Sequence, residues 1–273
     1  ATIIAEESIK LGIKYDIIDL VVILSKDLKT YFGVFEFKKN KFIKYSMLYS
    51  KYIKISEFEN RSSDLFIFFA QRILKNKIEP KNGDLLHINS ELESLIVVQE
   101  SLTTFKFNYD LFSALYFKFY LTNDYNELEK ISEKAVKFFQ KKKGFIQTGE
   151  FEFLQKLGIA KFIGGKTKEA INVYHKALEM NPTKGFIAWF NIRNHLFNAH
   201  LKLKNYNDAH NYLNDVVSIA QFKSLYESFR EPWLIKEAYM QLLIKMGKVK
   251  ESDELKNKLR PFRINRFLNE VPH

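Results

Sequence analysis

A chain of 273 residues with 46% apolar and 27% charged residues is long and apolar enough to bury a core, which excludes global disorder. Ten glycines and five prolines are too few for the many turns of a sandwich or barrel, and the absence of cysteine excludes disulfides, thiol catalysis and Cys-based zinc sites. The formal net charge of +11 admits nucleic acid, an acidic protein or an anionic surface as partners.

Residues 1–12 carry Ile3, Ile4, Ile9 and Leu11 and read as the second helix of a repeat whose first half is missing. In Tyr15 to Tyr31 the apolar residues, among them Ile17, Ile18, Val21, Leu24 and Leu28, cover more than one face of a helix. That is expected when neighbours pack on both sides. After Gly33, a helix from about Glu36 to Glu57 sets Phe42, Tyr45, Leu48 and Tyr52 against Lys38, Lys39, Lys41, Lys44, Lys51 and Lys54, a solvated face. Asn60 to Asp64 predicts a helix start, with Ser62 or Ser63 capping orphan amides. A helix from Asp64 to Lys77 and a loop at Glu79 to Gly83 follow. Asp84 to Phe105 is again helical, and Asn108 is expected to cap Tyr109 to Leu121. Asn123 to Asn126 then turns the chain into Glu127 to Lys143, whose inner stripe is Leu128, Ile131, Ala135 and Phe139. The longest apolar runs, such as Leu20 to Leu24 and Leu65 to Ala70, are far shorter than the roughly 20 residues a membrane helix needs.

Phe151 to Lys184 reads as two amphipathic helices joined at Gly164-Gly165 and closed by Asn181-Pro182. Gly158 leaves room for close packing, and Ala170, Tyr174 and Ala177 form a small-large-small stripe on the second helix. Leu154-x2-Leu157-Gly158, Ala170-x3-Tyr174, Ala177 and Pro182 together resemble the tetratricopeptide repeat, W-x2-L-G-x2-Y, then A-x3-F, then P. Leu154 replaces the Trp, and Lys161 the Tyr of the first helix. Beyond it, Phe186 to Leu203 is a helix. Tyr206 and Ala209 then fall where the family's turn aromatic and small residue go. Residues 209–220, Ser228 to Met246 and Lys250 to Leu259 continue the alternation, with Gly247 and Pro261 as breaks. Landmarks two residues after each break, Tyr125, Thr167, Tyr206 and Val249, are 42, 39 and 43 residues apart, longer than the family's roughly 34. The C-terminal half is also loosely similar to uncharacterised bacterial helical-repeat proteins, in which further repeats follow the segment here formed by Phe267 to Pro272.

The expected fold is all-α, a right-handed α-solenoid of antiparallel, TPR-like helix pairs with repeats of about 40 residues, truncated at both ends. Divergent hairpins over 1–123 run into TPR-like repeats over 124–260, and 261–273 is either the start of a further helix or the end of the expressed piece. The resemblance implies that the first helix of each pair lines a concave groove whose polar residues choose the ligand. On Phe186 to Leu203 those are Asn191, Asn194, Asn198 and Lys202, at i, i+3, i+7 and i+11. Asn is a mediocre helix former, yet each amide both donates to and accepts from an extended peptide backbone. Glu152, Gln155, Glu237 and Gln241 are the matching positions on flanking first helices.

The alternative reading is nucleic-acid association through the basic end between Lys245 and Arg266, with Lys256, Lys258, Arg260, Arg263 and Arg266 as its contacts. The six histidines show no i, i+4 pair, and paired carboxylates such as Glu127/Glu129 lie on highly charged helices, so neither metal nor acid–base chemistry is expected. Gly164-Gly165-Lys166-Thr167 lacks the upstream glycine and strand of a phosphate loop. The sequence therefore predicts a non-catalytic, cytoplasmic protein-interaction scaffold that needs no cofactor, binds a peptide segment or partner helix, and does not insert into membranes.

Overall fold

The computed structural model describes residues 1–74, 82–142, 147–180, 187–217 and 239–254. Among them every regular element is helical. The order is α1 (Thr2–Lys14), α2 (Ile18–Thr30), a π-helical turn (Tyr31–Phe35), α3 (Lys39–Leu74), α4 (Asn82–Gln99), α5 (Phe105–Leu121) and α6 (Tyr125–Lys141). Then come α7 (Gln147–Ile163), α8 (Thr167–Glu179), α9 (Ile187–Lys202) and α10 (Tyr206–Val217), with helical stretches at 239–245 and 249–254. Two compact units divide the chain, Ala1–Phe153 and Leu154–His273, and the boundary falls inside α7.

The inter-helix turns repeat one hydrogen-bond pattern. Asn123, Gly165, Lys204 and Gly247 have left-handed backbone, with φ of 57°, 84°, 61° and 75°. The next amide donates to the carbonyl five residues back at 2.8–3.0 Å: Asp124 to Phe119, Lys166 to Lys161, Asn205 to His200 and Lys248 to Leu243. This Schellman arrangement satisfies carbonyls that a helix end leaves orphaned. Each sequence landmark stands two residues after a left-handed position, so the repeat spacing is the spacing of these turns. Asp16, at φ 53°, closes α1 in the same way, with the Ile17 amide on the Gly12 carbonyl at 2.8 Å. The expected helix start at Tyr15 therefore moves to Ile18.

In the first unit, α3 corrects the sequence reading. It runs unbroken through Asn60 to Asp64, where a helix start was expected. The reason is a buried stripe that keeps helical period while changing chemistry: Tyr52, Ser56, Glu59, Ser62, Leu65 and Phe69 are all buried. Its serines are used sideways. Ser56 Oγ donates to Asp19 at 3.1 Å, Ser62 Oγ donates back to the Glu59 carbonyl at 2.9 Å, and the Ser63 hydroxyl bonds Asp110 of α5. Two apolar clusters flank this polar middle, one around Val21, Leu28, Phe32 and Tyr45, the other around Phe69, Leu95, Phe107 and Leu111.

Asn108 is not the cap of α5, which starts at Phe105. Fully buried inside that helix, it donates to the carbonyls of Leu102 and Thr104 and accepts from Gln99, so it pins the α4–α5 turn. Of the expected Glu79 to Gly83 loop, Asn82 and Gly83 instead open α4, and 79–81 lie outside the described residues. An aromatic layer ties α5, α6 and the start of α7: Phe139 lies 5.1 Å from Phe105 and 5.4 Å from Phe153 between ring centroids. Such pairs contribute about 0.5–1.5 kcal/mol each beyond area burial.

In the second unit the expected stripe is present: Ala170, Tyr174 and Ala177 are buried on α8, and Gly158 is buried where α7 meets it. A Cβ added at Gly158 would stand 2.2 Å from Cε1 of Tyr174. Lys161, the departure from the family pattern, is also buried and pairs with Glu169 of α8 at 2.9 Å. Substituting Ala170→Leu is expected to overpack this contact and cost about 1–3 kcal/mol. An unchanged thermal melt would refute the packing. The pair α9–α10 closes over Trp189, Phe197, Ala209, Leu213 and Val216, joined by Tyr239, Leu242 and Leu243.

Candidate functional site

Helix α9 is two-faced. Trp189, Phe190, Ile192, Leu196, Phe197 and Ala199 are buried; Asn191, Asn198 and Lys202 are exposed and Asn194 is half-buried. The row read from the sequence is thus one outward stripe. None of the three asparagine amides hydrogen-bonds to a described residue, so their donors and acceptors remain open to a partner. Lys202 is engaged within the unit. Its Nζ donates to the Phe162 carbonyl at 3.4 Å and lies 4.7 Å from that ring's centroid, a cation at the C-terminal end of α7 where the helix dipole favours one.

The flanking positions divide. Gln155 is half-buried on α7 in the second unit, and Gln241 is exposed on 239–245. Glu152, in the first unit, accepts from the Tyr109 hydroxyl, which makes it an internal tie. Burial first, and then this carboxylate, push the Tyr109 phenol far above its ordinary value. Glu237 lies outside the described residues, as do Lys256, Lys258, Arg260, Arg263 and Arg266. Within the described part of the basic end, Lys248 pairs with Glu251 at 3.6 Å, while Lys245 and Lys250 are exposed.

Sequence reasoning missed a layer of rings behind the stripe. His195 stacks on Tyr174 at 5.2 Å, with ring planes 11° apart, and burial pushes its pKa down to about 4. It is therefore neutral at physiological pH. Since its folded value lies below its ordinary 6.5, the stability it gives is present above that value and lost as pH falls toward 4. His200 stacks on Tyr212 with Nδ1 3.5 Å from Asp208, and burial, the largest influence, lowers its pKa as well. His175 Nε2 meets the Tyr212 hydroxyl at 3.3 Å, and His210 Nε2 meets that of Tyr239 at 3.0 Å. Arg193 pairs with Asp215 at 2.6 Å and covers Trp189. These partners come from different helices, which no spacing within one helix reveals. Among the described residues no group of three His, Asp or Glu side chains is placed to hold a metal ion, and no helix is long and apolar enough to cross a membrane.

No family model and no curated protein matches the sequence. Solved structures do match. The nearly identical TPR-like repeats of a Podosopora anserina protein assigned as a kinesin light chain superpose with a TM-score of 0.57 at 13% identity, over 76% of this chain and 97% of that one. A single-substitution form of the same repeats gives 0.58 at the same identity and coverage. At this identity the likeness establishes architecture alone. It agrees with the recurring turns and the α7–α8 packing: the described residues have the all-α fold of TPR-like helical repeats.

Proposed function

We propose that the chain is a protein-interaction scaffold that receives an extended segment of a partner on the outward stripe of α9. Asn191, Asn194 and Asn198 supply paired amide donors and acceptors to the segment's backbone. Gln155 on α7 and Gln241 on 239–245 extend the polar surface within the second unit, and Glu237 is the further candidate of the same set. The observation that carries the reading is the row of open amides on the first helix of a pair, facing away from a fully packed core. Lys202 contributes by fixing α9 against α7, and Glu152 by its tie to Tyr109.

Each neutral hydrogen bond contributes about 0.5–1.5 kcal/mol net. Replacing Asn194 and Asn198 together by Ala is expected to weaken a retained partner about tenfold or more, with the melting temperature unchanged or slightly raised, because Ala is the better helix former. The assay is capture from lysate by the immobilised chain, with the retained protein identified and titrated against parent and variant. Retention that is indifferent to the Asn changes, but released by salt or nuclease and by reversing Lys256, Arg260 and Arg263, would replace this reading with nucleic-acid association.

A further inference from the structure

The turn between α2 and α3 holds a feature that the α9 proposal does not use. At Tyr31–Phe35 the helix widens into a π turn: the Glu36 amide donates to the Tyr31 carbonyl at 3.1 Å, and the Lys38 amide to the Phe32 carbonyl at 2.9 Å. Phe37 then adopts left-handed backbone at φ 48° with its side chain 81% exposed. A bulky aromatic held in that conformation and given to solvent is strained locally and buries little of its own surface. Such strain and π turns concentrate at functional positions. Val34 and Phe35 are exposed beside it.

Val34 and Phe37, with Phe32, Gly33 and Phe42, line an open depression of about 450 Å³ that has Lys29 and Lys39 at its edge. Its size suits more than one large apolar side chain. Gly33 keeps it open: a Cβ there would stand 2.8 Å from the Phe42 ring. Lys29 and Lys39 make the edge cationic. Lys29 lies 4.9 Å from the Tyr49 ring centroid, while Lys41, above the Phe32 ring, is paired with Glu6 at 3.1 Å and adds no net charge. A second carboxylate, Glu36, is bonded to Lys38 at 2.7 Å and to the Tyr31 hydroxyl at 2.9 Å, so both carboxylates are engaged by lysines other than Lys29 and Lys39.

We infer that this pocket is a second docking site, independent of α9, for an acidic amphipathic helix of a partner protein. The helix places apolar residues from adjacent turns into the cavity and its carboxylates against Lys29 and Lys39. Charge complementarity selects an acidic partner over a basic one. The open, mostly apolar depression takes the side chains of one helix face, and the exposed rings of Phe35 and Phe37 beside it add apolar contact for the same face.

The test uses the full chain and a designed, fluorescein-labelled helical peptide with Leu at i, i+3, i+4 and i+7 and Glu on its polar face, followed by anisotropy. A control peptide carries Lys in place of Glu. Binding of the acidic peptide at least tenfold tighter than the basic one is expected. Phe37→Asn should lower that affinity about tenfold or more while preserving the fold, since Asn tolerates left-handed backbone. The pair Lys29→Glu and Lys39→Glu should reverse the preference between peptides. Asn194→Ala/Asn198→Ala should leave both affinities unchanged, which separates this site from the α9 surface. Equal binding of both peptides, or full affinity in Phe37→Asn with an unchanged melt, overturns the proposal. So does flotation with phosphatidylserine vesicles when the acidic peptide does not bind.

Discussion

Glu59→Gln is expected to stabilise the first unit by about 2–3 kcal/mol at pH 8 and to flatten its pH dependence. Glu59 sits in the middle of the buried stripe of α3, 2% exposed, and its Oε1 has no hydrogen-bond partner. Burial pushes its carboxyl up to about 7 from an ordinary 4.5; Thr104 and Lys106 oppose that rise, and Asp19 and Asp16 add to it. Because the folded value is the higher one, the stability this group gives is fully present below pH 4.5 and is lost as pH rises through about 7. The amide carries no charge to desolvate, so the variant keeps that stability at alkaline pH. For a body of this size the gain corresponds to about 2–4 °C per kcal/mol. Hydrogen exchange of the α3 and α5 amides at pH 5 and pH 8 reads it directly. Equal protection at the two values in the parent would show that Glu59 does not titrate in this range.

Gly158→Ala is expected to remove about 2–3 kcal/mol from the second unit, although Ala is the better helix former by about 1 kcal/mol. The added Cβ would meet Cε1 and Cδ1 of Tyr174 at 2.2 and 2.6 Å. That ring cannot retreat, because it is fully buried and His195 is stacked on it. Shortening the neighbour supplies the check. In a Tyr174→Leu background the same substitution should cost little or nothing, leaving a coupling energy of about 2 kcal/mol in the double-mutant cycle. The same loss in both backgrounds would mean that the two residues do not touch.

How much of this was legible depended on whether the determinant was local. The turns were legible, since a left-handed residue followed by a polar residue and a helix start is a property of a few consecutive residues. So were Gly158, Ala170 and Ala177, which lie within one hairpin. Ser62 and Ser63 misled because their hydroxyls satisfy bonds to Glu59 and Asp110, and Asp110 is far off in the chain. The same ambiguity hid Asn108, whose amide serves the turn before α5 from inside the helix. On the candidate surface, helical spacing placed Asn191, Asn194 and Asn198 on one face. It had no means of showing that Tyr109 claims Glu152 or that Phe162 claims Lys202, because both claimants come from other helices.

The recurring turns also bear on how the chain acquires its structure. Each left-handed position joins two helices across a few residues, so closing a pair such as α5–α6 or α9–α10 sacrifices little chain entropy. Contacts between such partners are close in sequence, and folding driven by them is fast. Pairs joined by such a turn can begin to close from their own residues, whereas α3 must wait for α5, which its Ser63 meets at Asp110. During synthesis, which proceeds at about 5–20 residues per second, each pair has time to close before the next has been added. For α5–α6 and α9–α10, closure as the chain emerges is therefore the expected first step, with the α3–α5 core of the first unit completed only once α5 is made.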